Sequence, residues 1–173
     1  MIKKTLSTII LILACSNVWA QNHEEHDTHH SKHHIAIFDG ATTNFGHSTT
    51  GYSLGLDYEY FISDKIGVGM IGEYVFAGEG ELILGVPLFF HPTSNLKLGA
   101  APIGIYAEEH HGYHSYDGHE PTNNTVHKEW VLGARLNVAY SLHFGKISAG
   151  PSVSLDVANT TAVVYGLAFG IGI

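Results

Sequence analysis

The sequence predicts an all-β fold: an eight-stranded antiparallel up-and-down transmembrane β-barrel, preceded by a disordered histidine-rich N-terminal arm. Three observations carry that reading. Apolar side chains alternate with small or polar ones through most of eight segments, several near the roughly 9–11 residues that a membrane-crossing strand needs. Turn-forming residues separate the segments, and none reads as a helix. Only 14% of the residues are charged, against about 25% in a typical soluble domain. With 173 residues there is room for one domain, and the net charge of −8 argues against a nucleic-acid partner.

Residues 1–20 read as a secretory signal peptide. Lys3 and Lys4 give the basic start, Ile9 to Ala14 the apolar run, and Val18-Trp19-Ala20 a small-residue cleavage site. Ile12-Leu13-Ala14-Cys15 offers a competing lipoprotein-type site, although Leu13 fits it poorly. Cleavage after Ala20 removes Cys15, the only cysteine, so disulfides add nothing to the mature chain. Residues 21–34, QNHEEHDTHHSKHH, hold almost no apolar side chain and form the histidine-rich arm. The barrel is expected over 35–173.

The first strand runs from about Ile35 to Phe45, but Asp39-Gly40 interrupts its alternation and leaves its faces unassigned. Gly51 to Phe76 is the clearest hairpin. Tyr52, Leu54, Leu56, Tyr58 and Tyr60 alternate with Ser53, Gly55, Asp57 and Glu59. After the turn Ser63-Asp64-Lys65, Val68, Met70, Tyr74 and Phe76 alternate with Gly67, Gly69 and Glu73. The fourth strand sets Leu82, Leu84, Val86, Leu88 and Phe90 against Glu81, Ile83, Gly85, Pro87 and Phe89. Leu96 to Tyr106 is the fifth. A long polar loop spans 108–128. In the sixth strand Trp130, Leu132, Ala134, Leu136, Val138 and Tyr140 oppose Glu129, Val131, Gly133, Arg135 and Asn137. The seventh sets Ile147, Ala149, Val153 and Leu155 against a serine-rich face ending in Asp156, and the eighth runs from Ala162 to Ile173. Pro87, Pro102 and Pro151 each remove a ladder donor, so bulges or gaps are expected there.

Alternation does not say which face meets water. A soluble lipocalin-type barrel would point the apolar face inward and leave a surface of glycine, alanine and serine. A soluble surface is about 25–35% charged, so that exterior would be too bare. The inverse puts apolar residues against lipid and glycines in the narrow lumen of eight strands. Aromatics near the strand ends suit interfacial belts, and closure leaves no unpaired edge in hydrocarbon. The outer membrane is the expected location, with lipid as partner and a monomeric barrel. Short turns then lie on the periplasmic side with the arm, and the loop 108–128 outside the cell.

The signal, the eight strands and the strand at the chain's end resemble the small outer-membrane β-barrel families of Gram-negative bacteria. His33-His34-Ile35-Ala36-Ile37-Phe38 and Gly85-Val86-Pro87-Leu88-Phe89-Phe90-His91-Pro92 are similar to a His-rich outer membrane beta-barrel domain family. That resemblance implies the fold and no established chemistry. Such barrels often end in an aromatic residue, whereas this sequence ends in Ile173.

Two segments carry candidate metal ligands. The arm holds His23, His26, His29, His30, His33 and His34, and the loop holds His110, His111, His114 and His119 among acidic residues. Neutral imidazole is a common ligand for zinc, copper and nickel, so divalent metal binding in uptake or sensing is the expected function. The alternative is a structural or surface-interaction barrel whose histidines only adjust charge. On the lumen faces Asp57, Glu59, Glu73, Glu81, Glu129 and Asp156 outnumber Lys97 and Arg135, and an Arg135-anchored salt-bridge network is expected. The His-Ser neighbours His47-Ser48 and His114-Ser115 lie in loops without the rigid setting a nucleophile needs, so no enzyme is expected.

Overall fold

A computed structural model describes residues 31–46, 48–78, 80–109 and 127–173. The signal-like residues 1–20, His23, His26, His29, His30, His47, and the loop histidines 110, 111, 114 and 119 lie outside them.

Strands β1 (His33–Asn44), β2 (Thr49–Ser63) and β3 (Ile66–Phe76) form an antiparallel meander. Next come β4 (Glu81–Gly85), β5 (Leu88–Phe90), β6 (Leu96–Glu109), β7 (His127–Tyr140), β8 (Leu142–Phe144), β9 (Ile147–Val157) and β10 (Thr161–Gly172). β4 and β5 are two halves of one stave, and so are β7 and β8, because each pair keeps a single register against its neighbours. β10 pairs with both β9 and β1, which closes eight staves into a barrel.

The prolines explain the two interruptions. Pro87 sits in the gap between β4 and β5, where its carbonyl still accepts from Gly69 N at 3.0 Å. Pro102 lies on β6 opposite that gap and accepts from Val86 N at 3.3 Å. Pro151 lies on β9 where the pairing passes from β7 to β8. The ladder therefore opens where a donor is missing.

The faces divide as alternation requires. Leu56 is 55% exposed, Met70 61% and Leu132 84%, while Ile83, Val75 and Phe89 on the other face are 2% exposed. A closed barrel whose outer wall is this apolar is built to stand in hydrocarbon. Aromatics gather near the strand ends, with Tyr52 and Tyr74 each packed against Phe76 and Tyr106 packed on Trp130. β1 is now assigned. Ala36, Phe38 and Thr42 are buried inside, while Ile37 and Asp39 are exposed on the wall. Asp39 accepts a hydrogen bond from the Tyr52 hydroxyl there.

β1 starts at His33, two residues before the expected Ile35. His33 and His34 therefore belong to the barrel, not to the arm. Inside, Ile71, Val75, Ile83, Ala101 and Ile103 pack into an apolar cluster on β3, β4 and β6. Glycines make room for the larger lumen side chains. At Gly69 an added Cβ would run into the Tyr58 carbonyl and come within 3.2 Å of the Phe89 ring.

Candidate functional site

The polar lumen has two clusters. The first is held in mid-barrel by Arg135 on β7. Its Nε and Nη2 donate to the two oxygens of Asp156 and its Nη1 to Glu73 Oε2, all at 2.6 Å. Asp156 is the direct cross-strand partner of Arg135, and Glu73 reaches it from β3. Thr42 donates to the other Glu73 oxygen at 3.1 Å and accepts from Ser53 at 2.6 Å. Asp156, Glu73 and Arg135 are 2%, 3% and 7% exposed, so the fork-shaped pairing is sealed from both rims. Asn137 extends it by donating to Ser152 and Ser154, both at 2.9 Å.

The second cluster lies at the rim of the short turns. Glu59 is 1% exposed. One of its oxygens is 2.6 Å from His91 Nε2 and the other 3.7 Å from Lys97 Nζ. Lys97 also stands 4.5 Å over the Phe89 ring. His34 turns inward and its Nε2 is 2.9 Å from Ser148 Oγ. These groups, with His143, Asp64 and Lys65, line a cavity of about 180 Å³.

Several expected site residues fall elsewhere. Glu129 does not join Arg135. It is exposed near the loop rim, six residues along the strand, so shared inward parity did not bring them together. Glu81 is half-buried near the same rim, while Asp57 lines a smaller lumen cavity. His33 and His34 cannot chelate one ion as a pair, because the strand's pleat sends them to opposite faces. His33 Nδ1 meets the Tyr58 hydroxyl at 2.8 Å, and its ring packs against Tyr60 on the outer face. Among the described residues no three His, Asp or Glu side chains stand ready to hold a metal.

His91 was not among the expected ligands or network residues. Its closeness to Glu59 depends on the pairing of three neighbouring staves, and only its place at a strand end hinted at it.

Among solved structures, the chain is similar to Neisserial surface protein A (NspA), with a TM-score of 0.50 and 14% identity, over 82% of this chain and 96% of that one. The fold is that of a small outer-membrane barrel. The chain also resembles Ail, the attachment invasion locus protein of Yersinia pestis, crystallised with the heparin analogue sucrose octasulfate. That match has a TM-score of 0.45 and 11% identity over 80% of this chain and 96% of Ail. A de novo designed transmembrane β-barrel matches with a TM-score of 0.49 and 9% identity, over 80% and 95% of the two chains. No protein-family model and no curated protein matches the sequence.

Proposed function

We propose that this chain is an outer-membrane barrel of the His-rich kind that binds divalent transition metal ions, zinc, copper or nickel, through two histidine-rich segments. The observation that supports the reading is that His34, His91 and His143 line one cavity at the turn rim, beside the start of β1 at His33, to which residues 21–30 lead in sequence. Imidazoles gathered there can add ligands to those of the segment, whereas histidines 110, 111, 114 and 119 belong to the sequence joining β6 to β7, whose paired ends stand at the opposite rim. A hydrocarbon core about 25–30 Å thick separates the two rims, so two independent sites are the reading and not one. The periplasmic side belongs to the short turns and the extracellular side to the loop. Metal uptake or sensing is the corresponding role.

The second reading is a structural or surface-interaction barrel without metal, since the histidines of residues 21–30 and 110–119 lie outside the described residues. Calorimetric titration of Zn²⁺, Cu²⁺ and Ni²⁺ into the refolded barrel separates the two. Two independent classes of site are expected, both weakening as pH falls through about 6.5, since a proton then takes the nitrogen the metal needs. Deleting residues 21–30 removes one class and leaves the other. No saturable binding to the intact chain rejects the metal reading, and loss of all binding on deletion rejects the two-sided arrangement.

A further inference from the structure

Glu59 is a buried carboxylate placed to act through its neighbour. It lies on the inward face of β2, and Gly67 on β3 leaves it room, because an added Cβ there would run into its carboxylate. The side chain is 1% exposed and both oxygens are engaged, Oε1 by His91 Nε2 at 2.6 Å and Oε2 by Lys97 Nζ at 3.7 Å. So enclosed, Glu59 is not the group that meets an ion. It does set which nitrogen of His91 can. His91 is fixed from three directions. Its backbone N–H donates to the Lys65 carbonyl at 2.8 Å, its ring packs on Phe61 with centroids 5.0 Å apart, and Nε2 faces Glu59. An ionised carboxylate only accepts hydrogen bonds, so Nε2 carries the imidazole proton and Nδ1 keeps its lone pair. Nδ1 has no hydrogen-bond partner among the described residues, and no buried side-chain nitrogen among them lacks one. Nδ1 therefore meets open space, and the space that His91 lines is the cavity of about 180 Å³ shared with His34 and His143.

We propose that Glu59 is a positioning residue for metal binding: it locks His91 in the Nε2–H tautomer and so presents Nδ1 as a ligand at the turn rim. The inference rests on the metal reading given above and names the group that prepares its barrel-borne ligand. Metal-binding imidazoles characteristically hand their second N–H to a carboxylate, which fixes the ring and makes the free nitrogen more basic. A ring already locked also loses less freedom when an ion arrives. His34 shows the contrast. Its Nε2 is 2.9 Å from the Ser148 hydroxyl, which can accept or donate and so fixes neither tautomer. Of these two histidines, His91 is the prepared ligand.

Nitrogen-15 NMR of the refolded, metal-free barrel at pH 8 reads the tautomer directly. The wild type shows a single Nε2–H form at His91, and Glu59→Gln, whose amide can donate as well as accept, shows a mixture of both. In Zn²⁺ titrations Glu59→Gln weakens the class of site that deletion of residues 21–30 removes by about 10–100-fold and leaves the other class unchanged. His91→Ala weakens that class too, and adding Glu59→Gln to it weakens it no further, since Glu59 acts only through the ring. A tautomer mixture or an imidazolium in the wild type overturns the proposal and leaves the metal reading standing if Zn²⁺ still binds at the rim. Additive losses in the double variant also overturn it, by making Glu59 a ligand in its own right. Absence of the rim class from the wild type overturns the metal reading and this inference together, whatever the tautomer.

Discussion

The two charged clusters of the lumen use similar groups and behave as opposites. Around Arg135 every polar contact is short, two carboxylates share one guanidinium, and all three side chains are buried. Around Glu59 one contact is short, the other is 3.7 Å, and a cavity of about 180 Å³ opens beside them. The difference follows from position. A guanidinium buried in mid-barrel has little room for water beside it, so its partners must do most to satisfy it. Groups at a rim can share their needs with solvent, which also leaves them free to take part in chemistry. The sealed cluster is therefore structural, and the open one is where a ligand can enter.

Breaking the sealed cluster should have the larger effect. Arg135→Leu leaves Glu73 and Asp156 buried without a cation, and removing one partner of a buried pair typically destabilises by about 3–5 kcal/mol. The urea midpoint of the refolded barrel should fall accordingly, and an unchanged midpoint would mean that Arg135 bears no load. Glu59→Gln should do less. It removes the charge opposite Lys97 and weakens the bond to His91, but water from the cavity can replace part of both, so a loss of about 1–3 kcal/mol is expected. A larger loss than for Arg135→Leu would erase the distinction between sealed and open clusters.

Much of the wall was legible in the sequence, because a period of two is read directly from the order of residues. The inward and outward faces of Tyr52 to Glu59 and of Trp130 to Asn137 needed nothing else. β1 was different. Asp39-Gly40 breaks its pattern, and only the pairing of Asp39 with Leu54 and Leu167, both outward, fixes its faces. Partners across the lumen were less legible still. Glu129 shares a strand and a parity with Arg135, yet strand separation keeps it at the rim. Glu73 comes from the far side of the barrel through closure, which no local pattern records. The His33-His34 pair misled for a related reason: neighbours in a flexible arm can share an ion, and neighbours in a strand point apart.

A membrane barrel requires the outer wall to face lipid. Single cysteines at Leu54, Leu84, Leu136 and Leu167, all on that wall, and at the exposed rim residue Thr93 test it in the barrel reconstituted in vesicles. The four wall cysteines should resist water-soluble maleimides and react with membrane-soluble ones, while Thr93→Cys, in vesicles opened to reagent on both sides, should label from water. Ready labelling of all four wall positions from water would contradict the membrane barrel and leave a soluble one in its place.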